Sequence, residues 1–101
     1  MRQNENAELL IYCSRCSLRA NEYNWTLETA SLYSVKGRET PTFIYVLLDS
    51  ARGNKAQWEN FKVVCPRCHE KIILRRLTIP SIELLEEYAA EVGLEYVNSF
   101  Y

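Results

Sequence analysis

Cys13-Ser14-Arg15-Cys16 and Cys65-Pro66-Arg67-Cys68 are two C-x-x-C pairs, with 48 residues between Cys16 and Cys65. At this spacing a tight turn aims both sulfurs of a pair the same way, so two pairs supply the corners of a tetrahedral zinc site with bonds of about 2.3 Å. Four thiolates saturate such an ion and leave no position for water, which makes the metal structural rather than catalytic. One Zn²⁺ per chain, held by Cys13, Cys16, Cys65 and Cys68, is therefore the expected cofactor. Other chemistries use the same residues. Disulfides need an oxidising compartment, and the polar residues 1–6 show no export signal. A thioredoxin-like pair needs one C-x-x-C heading a helix in a βαβ context. Rubredoxin-type iron shares the spacing and is told from zinc by metal analysis. Zinc in a reducing, cytoplasmic setting is the reading taken.

Such a staple suits the size of the chain. At 101 residues, 48% apolar and 25% charged, it is expected to form a single domain over residues 1–101. A domain of this size buries only about two thirds of its unfolded surface. Because the site exists only in the folded chain, metal binding becomes folding free energy, about 10–16 kcal/mol in small zinc peptides, as large as the whole stability of many domains. The longest apolar run, residues 43–48, falls far short of the roughly 18–20 residues a membrane span needs, and no membrane is expected among the partners.

Both cysteine pairs need local elements to carry them together. Residues 1–8 are polar and expected to be flexible. Residues 9–12 predict a strand into the first pair, and the alternation over 25–29, continuing through 32–35, predicts another. Residues 42–48, rich in β-branched and aromatic side chains, predict a central strand, with a loop at 49–55. Residues 61–64 predict a strand delivering the second pair. After the second pair, residues 69–77 predict a helix entered with Cys65 at the cap and Pro66 at the first helical position, a strand being the alternative. A C-terminal amphipathic helix is expected over 81–92, capped by Ser81, with Glu83 at its positive end, Ile82, Leu85, Ala89 and Val92 on one face, and Gly93 ending it. The apolar tail 94–101 is expected to pack back on the domain or onto a partner, a second copy included. The fold class is thus a small zinc-stabilised α+β domain with a β-hairpin or small antiparallel sheet.

Charge is unevenly spread. Residues 51–76 hold seven basic residues against two acidic, a balance of +5, and residues 77–101 hold five glutamates and no basic residue. Lys62, Lys71, Arg75 and Arg76 are candidate nucleic-acid contacts. His69, Arg15 and Arg67, beside or between the cysteines, are candidates for supporting the thiolates or touching phosphate. The aromatic residues could stack on bases, though packing is their commoner use. A pI near 5.8 departs from the footprint of a dedicated nucleic-acid binder.

The segment Trp58-Glu59-Asn60-Phe61-Lys62-Val63-Val64-Cys65-Pro66-Arg67-Cys68-His69 resembles the end of the zinc-stabilised HNH endonuclease motif, with Asn60 five residues before C-x-x-C-H. The resemblance implies a treble-clef, ββα scaffold with Cys13 and Cys16 as the upstream knuckle; a zinc ribbon is the alternative, where glycine usually takes the place of His69. In HNH enzymes a His-His or Asp-His pair ends the preceding strand and activates water. Val46-Leu47-Leu48-Asp49 stands there, and leucine can neither take a proton nor bind a metal. Such a degenerate scaffold implies a non-catalytic zinc-binding interaction module with a protein partner, as an inhibitor or adaptor of a nucleic-acid-processing machine. A nucleic-acid-binding zinc ribbon, and a divergent nuclease using Asp49, Asn60 and His69, are the alternatives.

Overall fold

A computed structural model describes residues 8–101, and two short antiparallel hairpins carry the cysteine pairs at their tips. In the first, β1 (Leu10–Tyr12) pairs with β2 (Arg19–Asn21), Ile11 opposite Ala20. In the second, β3 (Lys62–Val64) pairs with β4 (Lys71–Ile73), Val63 opposite Ile72. Helices α1 (Glu22–Tyr33), α2 (Phe43–Asp49) and α3 (Lys55–Trp58) lie between the hairpins in the chain; α4 (Ile82–Val92) and α5 (Leu94–Val97) follow the second. The fold is α+β, as the sequence predicts. The flexible stretch expected at 1–8 lies, apart from Glu8, outside the described residues.

The strands expected at 9–12 and 61–64 are present, and so is the C-terminal helix. Ser81 Oγ accepts the Leu84 N–H (3.4 Å), and α4 buries Leu85, Tyr88, Ala89 and Val92. Gly93, at φ 90°, ends it in a conformation that strains any residue with a Cβ. The tail packs back on its own domain. The backbone of Tyr101 exchanges two hydrogen bonds with Thr40 (2.7 and 2.8 Å), Tyr96 and Val97 are buried, and the rings of Tyr23, Tyr96 and Tyr101 meet edge to face or tilted.

Three expected strands or loops are helical instead. Residues 25–29 and 32–33 lie in α1, whose buried positions Glu22, Trp25, Thr26, Thr29 and Ala30 follow a helical period. The period is masked because three of the five are polar. Each serves a neighbouring element: Thr29 Oγ1 accepts the Val64 N–H of β3 (3.0 Å), Thr26 Oγ1 accepts the Phe43 N–H (2.9 Å), and Glu22 Oε2 accepts the Ile44 N–H (2.7 Å). Residues 43–48 form α2, buried all round except at Tyr45, and a helix without a polar face has no periodicity to separate it from a buried strand. Its start is set by Thr42, whose Oγ1 accepts the Tyr45 N–H (3.2 Å). With Thr26 and Glu22 of α1 accepting the Phe43 and Ile44 amides, the first three N–H groups of the helix each have a partner, and Val46 N–H opens the regular ladder on the Thr42 carbonyl (3.3 Å). The expected loop at 49–55 is a wide helical link, Ser50–Asn54, bent at Gly53 (φ 120°).

Residues 69–77 form no α-helix. His69 adopts the left-handed conformation (φ 61°), Lys71–Ile73 returns as β4, and a single 3₁₀ turn, Leu74–Arg76, follows. A left-handed residue cannot open a right-handed helix, and turning the chain back buries Ile72 and Leu74 together with Val63.

Candidate metal centre

The two knuckles are built alike. In the first, Cys13 N–H donates to the Leu18 carbonyl (2.8 Å) and Ser17 N–H to the Cys13 carbonyl (2.9 Å). In the second, Cys65 N–H donates to the Glu70 carbonyl (3.1 Å) and His69 N–H to the Cys65 carbonyl (2.8 Å). The residue after each second cysteine, Ser17 (φ 62°) or His69 (φ 61°), is left-handed, and this reversal re-aims the chain into the returning strand. Backbone amides also point at sulfur: Cys16 N–H toward Cys13 Sγ (3.5 Å), and Arg67 and Cys68 N–H toward Cys65 Sγ (3.3 and 3.5 Å).

All four sulfurs lie within 4.8 Å of one another, and none is in a disulfide. Cys13 Sγ is 3.8 Å from Cys68 Sγ, and Cys16 Sγ is 3.8 Å from Cys65 Sγ. A regular tetrahedron with metal–sulfur bonds of about 2.3 Å has edges of about 3.8 Å, whereas a disulfide is about 2.05 Å long. Both close pairs join one knuckle to the other, so an ion held by these residues would tie the two hairpins together. Cys13 and Cys65 are buried, Cys16 and Cys68 partly so. Burial, with Cys13 and Cys68 beside it, pushes the Cys65 thiol up to about 12 despite the two amides aimed at it. At Cys13 burial acts the same way but is outweighed by the Cys16 and Arg15 backbone donors, and the thiol lies below its ordinary value. Bringing all four to thiolates together needs a cation at their centre.

The residues predicted around the cysteines separate into distinct roles. Arg15 of the first knuckle reaches Glu70 at the exit of the second (3.5 Å), and Arg67 of the second donates from Nε to the Arg19 carbonyl of the first (3.1 Å). Each arginine occupies the third position of its C-x-x-C, so the two knuckles are stitched across in both directions. His69 lies outside the sulfur cluster, with Nδ1 3.4 Å from Glu28 Oε2 on α1. Of the predicted basic contacts, Lys62, Lys71 and Arg76 line one cleft with Arg15, while Arg75 donates to Asn60 Oδ1 (2.7 Å).

The three residues an HNH-type nuclease would use are engaged separately. Asp49 accepts from Trp58 Nε1 (2.7 Å) and Asn54 Nδ2 (2.8 Å), bonds that hold its carboxyl below the usual carboxylate range. Asn60 is held by Arg75 and His69 faces Glu28. Leu47 and Leu48 are buried inside α2.

Among the described residues, the core holds one buried charged side chain, that of Glu22. Its side chain is fully buried and accepts from Tyr88 and Tyr96 Oη (both 2.7 Å), Ile44 N–H (2.7 Å) and Thr26 Oγ1 (2.9 Å). Burial raises its carboxyl above the ordinary value even with these donors pulling the other way. Glutamates are rarely buried unless fully partnered, and no single-residue signal marks this one. No family model, curated protein or solved structure matches the chain.

Proposed function

We propose that the protein is a non-catalytic interaction module in which one Zn²⁺, held by Cys13, Cys16, Cys65 and Cys68, fastens two hairpins, and which works through its surface. The observation that carries the reading is the closed set of four sulfurs, all within 4.8 Å of one another with two pairs at 3.8 Å, because four thiolates saturate a tetrahedral ion and leave no position for water or substrate. Of the two scaffolds the sequence admits, the degenerate HNH-like treble clef and the zinc ribbon, the strand that follows Cys68 supports the ribbon. The partner is a protein, met by α4. Its outward face presents Glu83, Glu86, Glu87 and Glu91 around the exposed Leu84, with the exposed Leu94 just beyond. Such a mixture of acid and apolar surface fits a basic surface with apolar contacts, as an inhibitor or adaptor would use on a nucleic-acid-processing machine. Affinity capture from the native host tests this: the bound protein should be lost on Glu83→Lys/Glu87→Lys and kept on Lys62→Glu/Lys71→Glu. A captured protein indifferent to the α4 charges would refute the assignment.

A second reading, a nucleic-acid-binding zinc ribbon, is favoured by one observation: Arg15, Lys62, Lys71 and Arg76 converge on a single cleft. Binding to oligonucleotides that weakens with salt would support it, and salt-insensitive or absent binding would remove it.

A further inference from the structure

Between the first knuckle and the second hairpin lies a cleft of about 420 Å³, lined by Ser14, Arg15, Lys62, Arg76 and the β4 residues Lys71, Ile72 and Ile73. It holds four cations and no carboxylate. Arg15 is partly answered by Glu70 at 3.5 Å, but among the described residues Lys62, Lys71 and Arg76 have no acidic partner. The glutamates of α4 do not neutralise them: the ion pair from α4 within the described residues runs from Glu86 to Arg52. Like charges gathered in one concavity repel each other, and the arrangement becomes favourable when a polyanion enters, because a cleft of one sign concentrates counter-ions.

The register of the hairpin spaces the charges. Lys62 stands opposite Ile73 and Lys71 opposite Val64, so the two lysines share one face as diagonal neighbours, about 7–8 Å apart at the backbone. That separation lets each lysine take its own phosphate. Lys62 also links the cleft to an aromatic surface. Its backbone N–H donates to Tyr33 Oη (3.1 Å), and Tyr33, a residue 39% exposed, stacks its ring on Phe61 at 5.1 Å and 14°. Trp58 also meets Phe61, edge to face, at 5.3 Å. A charged groove that tracks a backbone beside a braced, exposed ring is the pair of features by which proteins hold unpaired strands, since a base in a duplex has no free face to stack.

We infer that this cleft binds the phosphate backbone of a single-stranded nucleic acid, with Lys62, Lys71 and Arg76 on phosphates and Tyr33 under a base. The inference rests on the second reading above and narrows it to unpaired strands and to these residues. It would be tested on the zinc-loaded full chain by fluorescence anisotropy with a labelled oligothymidine of about 12 nucleotides and a duplex of the same length. Three phosphate contacts predict a slope of log affinity on log salt of about −2 for the single strand, which is roughly a twentyfold loss between 50 and 200 mM salt. Lys62→Glu/Lys71→Glu should abolish measurable binding, and Tyr33→Ala should cost the single strand roughly tenfold. Lys36→Glu, an exposed lysine outside the cleft, should cost less than twofold. Zinc content and circular dichroism confirm that each variant is folded. Equal binding of duplex and single strand, with Tyr33→Ala silent, would overturn the single-strand inference while leaving a nucleic-acid ribbon standing. Losses in Lys36→Glu as large as in the cleft variants would overturn the site. No binding of either oligonucleotide would remove both the inference and the reading beneath it.

Discussion

Replacing Glu22 with alanine should be among the most damaging single changes to this protein outside the cysteines. The carboxylate is fully buried and gathers four donors from four places: Thr26 on its own helix, the Ile44 amide at the start of α2, Tyr88 on α4 and Tyr96 on α5. Thr26 can fall back on the residue 22 carbonyl, which it already reaches at 3.1 Å. The Ile44 N–H is fixed by the helix and cannot turn elsewhere, and a stranded buried donor costs about 1–3 kcal/mol. The void left by the side chain adds about 1 kcal/mol or more, at roughly 24 cal/mol per Å³ of cavity. Loosened tyrosine hydroxyls on α4 and α5 bring the expected total to about 4 kcal/mol, reduced by whatever was spent burying the carboxylate. Urea denaturation of the zinc-loaded protein should show the midpoint falling by up to roughly 3 M, for a slope near 1.3 kcal/mol per M. Glu22→Gln is the gentler probe, because its amide can face the two hydroxyls, which can turn to accept, while its oxygen keeps the Ile44 amide. Its pH dependence has a definite sign. With the folded-state pKa raised above the ordinary 4.5, the native protein holds this proton more tightly than the unfolded chain, so the Glu22 contribution declines as pH rises from 4.5 through the folded value. The stability of the wild type relative to Glu22→Gln should therefore fall over that window. A cost for Glu22→Ala below 1 kcal/mol, or a difference that rises with pH, would refute the reasoning.

Other expectations follow from the same geometry. Gly53→Ala should destabilise by about 1–2 kcal/mol in thermal or urea unfolding: no atom stands within 4 Å of the added Cβ, so the cost is the φ of 120° itself. Ser17→Gly should stabilise by up to about 1 kcal/mol, because it relieves a left-handed residue whose side chain is exposed. His69→Gly should gain less, since the same relief is set against loss of the Glu28 contact, and equal gains would assign that contact no weight. Zinc affinity, measured by competition with a chelator, should fall steeply as pH drops from 8 to 6, because thiols release their protons on binding zinc and burial pushes the Cys65 thiol up.

The cluster of four cysteines was legible in the sequence because C-x-x-C fixes two sulfurs through local backbone geometry alone, wherever the chain carries them. Helix α4 was legible because Leu85, Ala89 and Val92 recur at helical spacing between a serine cap and a terminating glycine. Helix α1 has the same periodicity written in Glu22, Thr26 and Thr29, and polar residues count as buried only once their partners on α2, α4 and β3 are known. Helix α2 fails in the opposite way, since β-branched and aromatic side chains buried on almost every side carry strand propensity, and its cap is completed by residues about 20 positions upstream. The fate of residues 69–77 turned on a single dihedral, that of His69. Basic charge in residues 51–76 was visible as a total, but only the hairpin register separates Lys62, Lys71 and Arg76, in the cleft, from Arg67 and Arg75, which are occupied elsewhere.

The claim on which the rest stands is that four thiolates hold one zinc ion and thereby the fold. Metal content of the purified chain, with zinc and thiols counted as a mercurial reagent displaces the ion, tests it most directly. The account predicts about one zinc per chain released together with four thiols, and loss of both metal and folded structure in Cys65→Ser. A chain that folds without metal, carries iron instead, or releases its zinc with fewer than four cysteines involved would contradict it.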